Sequence, residues 1–420
     1  MQLALGVGPD QGVWLLAALF GVAVAYTLAS GLWGVVVSDA LQFCLAMLGA
    51  IVLAVFALET AGGMDGLLVA LRAQVGVERT TDVLALIPSG REAFWAFVIY
   101  VGVKSWASGN TEGSGYMAQR LLATRSPRDA RLAALWYAIA HFALRPWPWI
   151  VVGLVALVRY PGLDDPEAGY VRVLLDELPS GLRGAMIAAM FAAFLSTIDT
   201  HLNWGASYLT HDLYRRFVCP DADERTLVRV ARGSVVLLAA IGAIATLLMP
   251  SITAAWKFLA QITAGLGLIV LLRWLWWRIN AWSEITVMSG SLVGSALVLG
   301  LTDVSFPLSL AVVVAGVVPL SLAVTLATPP ESAEHLANFY RRVRPPGWWS
   351  PVSRATGISG TELGTASWLR VGAATCGIYG ILLGLGGVLL GAAGLAVMAA
   401  AGGALLVALA IRGSSSGDHP

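Results

Sequence analysis

Between residues 188 and 212 a run of small apolar residues, AAMFAAFLSTIDTHLNWGASYLTHD, takes on hydroxyls, a carboxylate, an amide and an imidazole. On a helix, Ser196, Thr200, Asn203 and Ser207 follow at i, i+4, i+7 and i+11 and so form one stripe, with Asp199 beside Ser196 and Asn203. Hydroxyls and freed carbonyls are the hard oxygen ligands a small cation takes. An ionised carboxylate deep in apolar sequence is costly and marks an interior or a wet path for ions. A structural reading stands beside this one: Ser and Thr return hydrogen bonds to the preceding turn, and small residues let helices approach.

Three other places carry comparable chemistry. Asp39 opens an apolar run with Gln42 one turn on, where a carboxylate serves an ion path or simply meets the helix dipole. Lys104, Ser105, Ser108, Asn110, Thr111 and Glu112 are interleaved with Gly109, Gly113 and Gly115. Polar, glycine-rich backbone at membrane depth is tolerated where it lines a cavity, so this segment is expected to face a solute; alternatively Lys104 and Glu112 pair with other charges for structure. Gln261, followed by Thr263, Gly265 and Gly267, is the third polar and flexible place where a ligand could be held.

These groups must be positioned by membrane helices. The chain of 420 residues is 58% hydrophobic and 12% charged, against roughly 25% charged in soluble domains, and its mean hydropathy is +0.77. Eleven apolar runs, near 12–30, 34–58, 92–110, 128–158, 181–214, 226–248, 252–279, 283–302, 306–327, 368–388 and 391–411, predict spanning helices. Ser126-Pro127-Arg128-Asp129 is a helix start, and Pro146 and Pro148 predict a kink in the fourth run. Arginines gather in the loops after the third, fifth and ninth runs, at Arg120 to Arg131, Arg215 to Arg232 and Arg341 to Arg354. One face of the membrane collects them, so the chain is expected to start outside and end in the cytoplasm.

The expected organisation is a helical core over 1–327, a cytoplasmic loop over 328–367 too short for its own core, a C-terminal helical hairpin over 368–412 and a disordered tail at 413–420. The three cysteines are far apart and give no disulfide or metal framework. No phosphate loop, metal-ligand spacing or nucleophilic Ser/His/Asp arrangement accompanies these elements, so the chain is expected not to be an enzyme and to need no organic cofactor. Nucleic acid is not an expected partner, whereas the lipid bilayer is.

YTLASGLWGVVVSDALQ, YMAQRLLATRSPRDA and above all GLRGAMIAAMFAAFLSTIDTHLNWGASYLTHDLY resemble the hairpin, the Gln-Arg loop and the most diagnostic helix of the sodium:solute symporter family. ALRPWPW and FYRRVRPPGWW suggest an uncharacterised bacterial branch rather than the sugar or proline carriers. The resemblance implies an all-α polytopic membrane protein of the bacterial plasma membrane, with a leucine-transporter-like bundle of inverted repeats and broken helices at the midplane. It implies sodium as coupling ion, with Ser196 and Thr197 supplying hydroxyls, Ala193 a backbone carbonyl and Asp39 a place on the ion's route. Asn110, Thr111 and Gln261 are similar to positions facing solute in sugar-carrying members, and Lys104 belongs to the same polar segment. In the family the hairpin signature follows four further helices, which would take roughly 130 to 160 residues, so the chain is expected to be incomplete at its N-terminus. The activity implied is symport of a small polar or anionic solute. A membrane sensor that binds solute without moving it, and a truncated product without activity, are the alternatives.

Overall fold

The computed structural model describes the chain except for residues 1, 9, 10, 30, 31, 86, 89, 108–113, 250, 361–363, 391, 392 and 413–420. The expected disordered tail therefore lies outside the described residues, as do Asn110, Thr111 and Glu112. Among the described residues every regular element is helical, apart from an isolated bridge between Trp276 and Trp348.

Among the described residues seven helices are long and apolar enough to cross a membrane, and eight if the bent pair Ile252–Ile262 and Leu266–Leu275 is one span. Shorter apolar helices at Gly12–Leu28 and Ala396–Leu409 lie at the first and last of the eleven expected runs. The third run forms the Arg91–Ala107 helix. Starts follow local chemistry: the Ser126 hydroxyl accepts from the Asp129 amide with Pro127 at the first helical position, and Asn280 and Ser283 form a reciprocal capping box. The kink before Pro146 is a π-helical segment, Ile139–Leu144, in which the Arg145 amide reaches back five residues to the Ala140 carbonyl at 2.9 Å. One wide turn lets the chain enter proline, whose ring admits no ordinary i to i−4 bond. A second π-helical stretch, Tyr208–Val218, prolongs the Ser180–Ser207 helix and has no signal in the residue pattern.

The chain divides into two compact units that interleave along the sequence, one of residues 1–80, 119–249 and 373–420, the other of 81–118 and 250–372. In the first unit the Leu32–Thr60 helix packs along Ser180–Ser207. Gly49 marks their close approach, since a Cβ there would stand 3.4 Å from the Ala189 Cβ and closer still to the Met186 sulfur. Ten residues earlier on one helix and ten later on the other, Asp39 faces Ser196, as an antiparallel pair requires. Phe20, Leu202, Ala206, Val235 and Ala239 form the neighbouring apolar cluster.

The second unit is built on the antiparallel helices Ala281–Leu301 and Leu308–Ala327, with Ile269, Val287, Leu310, Val313, Val314 and Val317 at its centre. The stretch expected to be a loop, 328–367, contains helices Ala333–Val343 and Ser350–Thr356. Leu336, Tyr340, Trp349 and Val352 bury one another against Trp277 and Phe339. The Trp349 indole donates to the Trp274 carbonyl at 2.9 Å, and the Trp348 amide donates to the Leu275 carbonyl at 2.6 Å. The segment thus borrows the aromatic end of the broken helix as its core, which a length argument on the segment alone does not reveal.

Candidate functional site

The first unit brings three side chains around the Asp39 carboxylate. Ser196 donates to Oδ1 at 2.9 Å, Arg120 donates to Oδ2 at 2.8 Å, and the Thr200 hydroxyl lies 3.4 Å from Oδ2. Arg120 also donates to Thr200 Oγ1 at 2.9 Å, so that hydroxyl accepts from the guanidinium while it donates to the acid. Ser196 and Thr200 reach one acceptor because residues four apart share a helix face. The Arg120 and Asp39 side chains are 25% and 23% exposed, a partly wet pair rather than a sealed one. One turn beyond Asp39, the Gln42 amide oxygen is buried with no donor in reach.

Asp39 does not open its helix. The helix begins at Leu32, which puts Asp39 two turns inside, beyond the first turn over which the dipole favours a carboxylate. The helix-dipole explanation of this residue therefore falls, and its partners are the three side chains.

The polar stripe on Ser180–Ser207 splits. Ser196 and Thr200 face Asp39, whereas Asn203 turns back and donates to Asp199 Oδ1 at 2.8 Å. Asp199 is buried. Thr197 is exposed and donates to the Ala193 carbonyl at 3.0 Å, the back-bond of the structural reading. Of the four residues expected around sodium, Asp39 and Ser196 meet each other and Thr197 and Ala193 meet each other. Arg120 and Thr200 join the site without being marked for it in the sequence, where Arg120 reads as a loop charge and Thr200 only as part of the stripe. The i+4 spacing of Thr200 from Ser196 was the available signal.

Of the remaining expected residues, Lys104 and Gln261 lie in the second unit. The broken helix turns 45° between Ile262 and Leu266, through Gly265 at φ +83°. Carbonyls released by the break are taken by serines of the Ala281–Leu301 helix, Ser295 donating to the Gln261 carbonyl at 2.9 Å and Ser291 to that of Ala264. That is how irregular backbone survives at membrane depth. Gln261, expected where a ligand could be held, lies at this break. Its side chain is buried, its amide nitrogen donates to Ser309 at 2.8 Å, and its amide oxygen has no donor. Gln261 thus lies on the inner face of its helix, with Ser309 accepting from its amide. Lys104 is half-buried and lies over the Tyr100 ring, 5.4 Å from its centre.

The donor set of the first unit fits a small hard cation: one carboxylate, two hydroxyls, a neighbouring hydroxyl and carbonyl at Thr197 and Ala193, and a buried amide oxygen at Gln42 without a donor. Among the described residues no group of three or more His, Cys, Asp and Glu side chains is placed to hold a metal ion.

The sequence profile of the sodium:solute symporter family matches residues 1–294. The chain is 25% identical over 292 residues to the sodium/glucose cotransporter of Vibrio parahaemolyticus, covering 64% of this chain and 54% of that protein. It is 27% identical over 254 residues to the sodium/mannose cotransporter of Bos taurus, covering 53% and 42%, and 24% identical over 438 residues to sodium/glucose cotransporter 4 of Danio rerio, covering 86% and 64%. The chain spans about half the length of the first two of these relatives. A solved structure of a sodium-coupled sialic acid symporter, in a substrate-bound outward-open state, superposes with a TM-score of 0.54 over 78% of this chain and 70% of that one at 19% identity. At that identity the likeness is one of fold, an all-helical leucine-transporter-like bundle.

Proposed function

The chain belongs to the sodium:solute symporter family, and we propose that it works as a sodium-coupled secondary transporter that takes up a small polar or anionic solute by alternating access. The observation that carries this reading is the Asp39 carboxylate held between Ser196, Thr200 and Arg120. A cation at that carboxylate meets hydroxyl oxygens from a second helix, so its binding ties two helices of the first unit together. An ion that binds one conformation in preference to another supplies coupling in proportion to that difference.

Asp39, Ser196 and Thr200 hold the ion in this reading. Thr197 and Ala193, one turn away, join by opening their single back-bond. The Arg120 guanidinium stands between the Asp39 and Thr200 oxygens and competes with the ion for both. The solute is assigned to the second unit, with Lys104 and Gln261 among the described residues and Asn110 and Thr111 outside them. The protein resides in the bacterial plasma membrane with its C-terminus in the cytoplasm.

The test is binding of radiolabelled sodium to the purified protein in nanodiscs. Ser196→Ala and Asp39→Asn are each expected to lower sodium affinity by about tenfold or more, since a hydrogen bond or ligand contact to a charged group contributes about 1.5 to 3 kcal/mol. Undiminished binding in both variants would remove the site assignment.

A further inference from the structure

The chain has two lysines, and the second unit brings both to one pair of rings. Tyr100, on the Arg91–Ala107 helix, meets Phe306 edge to face with centres 5.7 Å apart. The Lys104 ammonium lies 5.4 Å from the Tyr100 ring centre and the Lys257 ammonium 5.8 Å from that of Phe306. The register is set one turn along both elements. Gln261 follows Lys257 at i+4, Ser309 follows Phe306 at i+3, and the Gln261 amide donates to Ser309. The Gln261 amide oxygen is left buried without a donor.

Among the described residues neither ammonium has a carboxylate partner, and Asp303, three residues before Phe306, pairs with neither. A ring face offsets an ammonium by about 0.5 to 2 kcal/mol, well short of the cost of an uncompensated charge in membrane surroundings. Two such cations beside an aromatic pair set up a positive field over an apolar surface, and that field collects anions. The complement is a molecule with a carboxylate at one end and an apolar body that lies on rings. We infer that Lys104, Tyr100, Phe306 and Lys257 form a capture site for a small organic carboxylate. The inference specifies the solute of the transporter proposed above and rests on that reading.

Ser305, exposed and next to Phe306, takes the probe. In the full chain with Cys44, Cys219 and Cys376 changed to Ser, Ser305→Cys is modified by an anionic and by a cationic methanethiosulfonate, with benzoate or neutral benzamide as competitor. The anionic reagent is expected to react faster relative to the cationic one by on the order of tenfold, and benzoate but not benzamide slows both reagents. Lys104→Gln with Lys257→Gln abolishes the preference and the protection, whereas Lys104→Arg with Lys257→Arg keeps both and shows that the fold tolerates change at these positions. A reagent ratio and protection untouched by the glutamine pair, or equal protection by benzamide, would overturn the site. The labelling needs no sodium, so the two readings fail separately. Protection by benzoate without sodium binding leaves the capture site and removes symport, and sodium binding without protection does the reverse.

Discussion

At the scale of single residues the carboxylate of Asp39 is the point where charge, hydroxyls and a competing cation meet. Its pair with Arg120 is about a quarter exposed, so screening keeps its strength near that of a surface ion pair, about 1 kcal/mol. If the guanidinium and the ion use the same oxygens, removing the guanidinium returns that energy to ion binding. Arg120→Gln is therefore expected to tighten sodium binding about fivefold, read in the same nanodisc assay. Arg120→Lys, which keeps the charge but replaces the guanidinium whose Nη2 donates to both Asp39 and Thr200, is expected to fall between the two. Weaker sodium binding in Arg120→Gln would mean that the arginine organises the oxygens rather than competing for them.

Among elements, the broken helix of the second unit is the one whose geometry rests on a single backbone choice. Gly265 holds φ +83°, a region closed to most side chains, and a Cβ there would stand 2.9 Å from a Val318 methyl. Gly265→Ala is expected to lower stability by about 1 kcal/mol or more, since it combines left-handed strain with overpacking. The measurement is a lower midpoint of thermal unfolding in detergent, with Gly267→Ala as the partner inside the following helix. An unchanged midpoint would mean that the helix straightens and that the 45° bend is not obligatory. The serines that take up the released carbonyls, Ser291 and Ser295, come from a helix whose residue pattern announces only a span.

For the whole molecule the testable quantity is orientation. The arginine bias predicts the loops after the third, fifth and ninth runs on one side with the C-terminus, and the loops over 59–91 and 159–180 on the other. In a cysteine-free background, Arg342→Cys is expected to resist a membrane-impermeant maleimide on intact cells and Asp164→Cys to react. The opposite pattern would invert the orientation and with it the direction assigned to uptake.

The residue pattern by itself determined that the protein is a bundle of membrane helices, because composition and apolar run length depend only on what water and hydrocarbon accept. It also located the polar helix, the proline kink and the breakable segment at Gln261 to Gly267, since hydroxyls, prolines and glycines act on their own turn. The partners of those polar groups were decided in three dimensions. Arg120 lies 81 positions from Asp39 and Ser196 lies 157, and no local spacing encodes which distant helix brings them together. Burial of Gln261, docking of the 333–356 helices on the tryptophan-rich end of the broken helix, and the meeting of Lys104 and Lys257 at one pair of rings have the same cause. A side chain's surroundings are set by which helix faces pack, and packing is a property of the assembled chain rather than of any stretch of it.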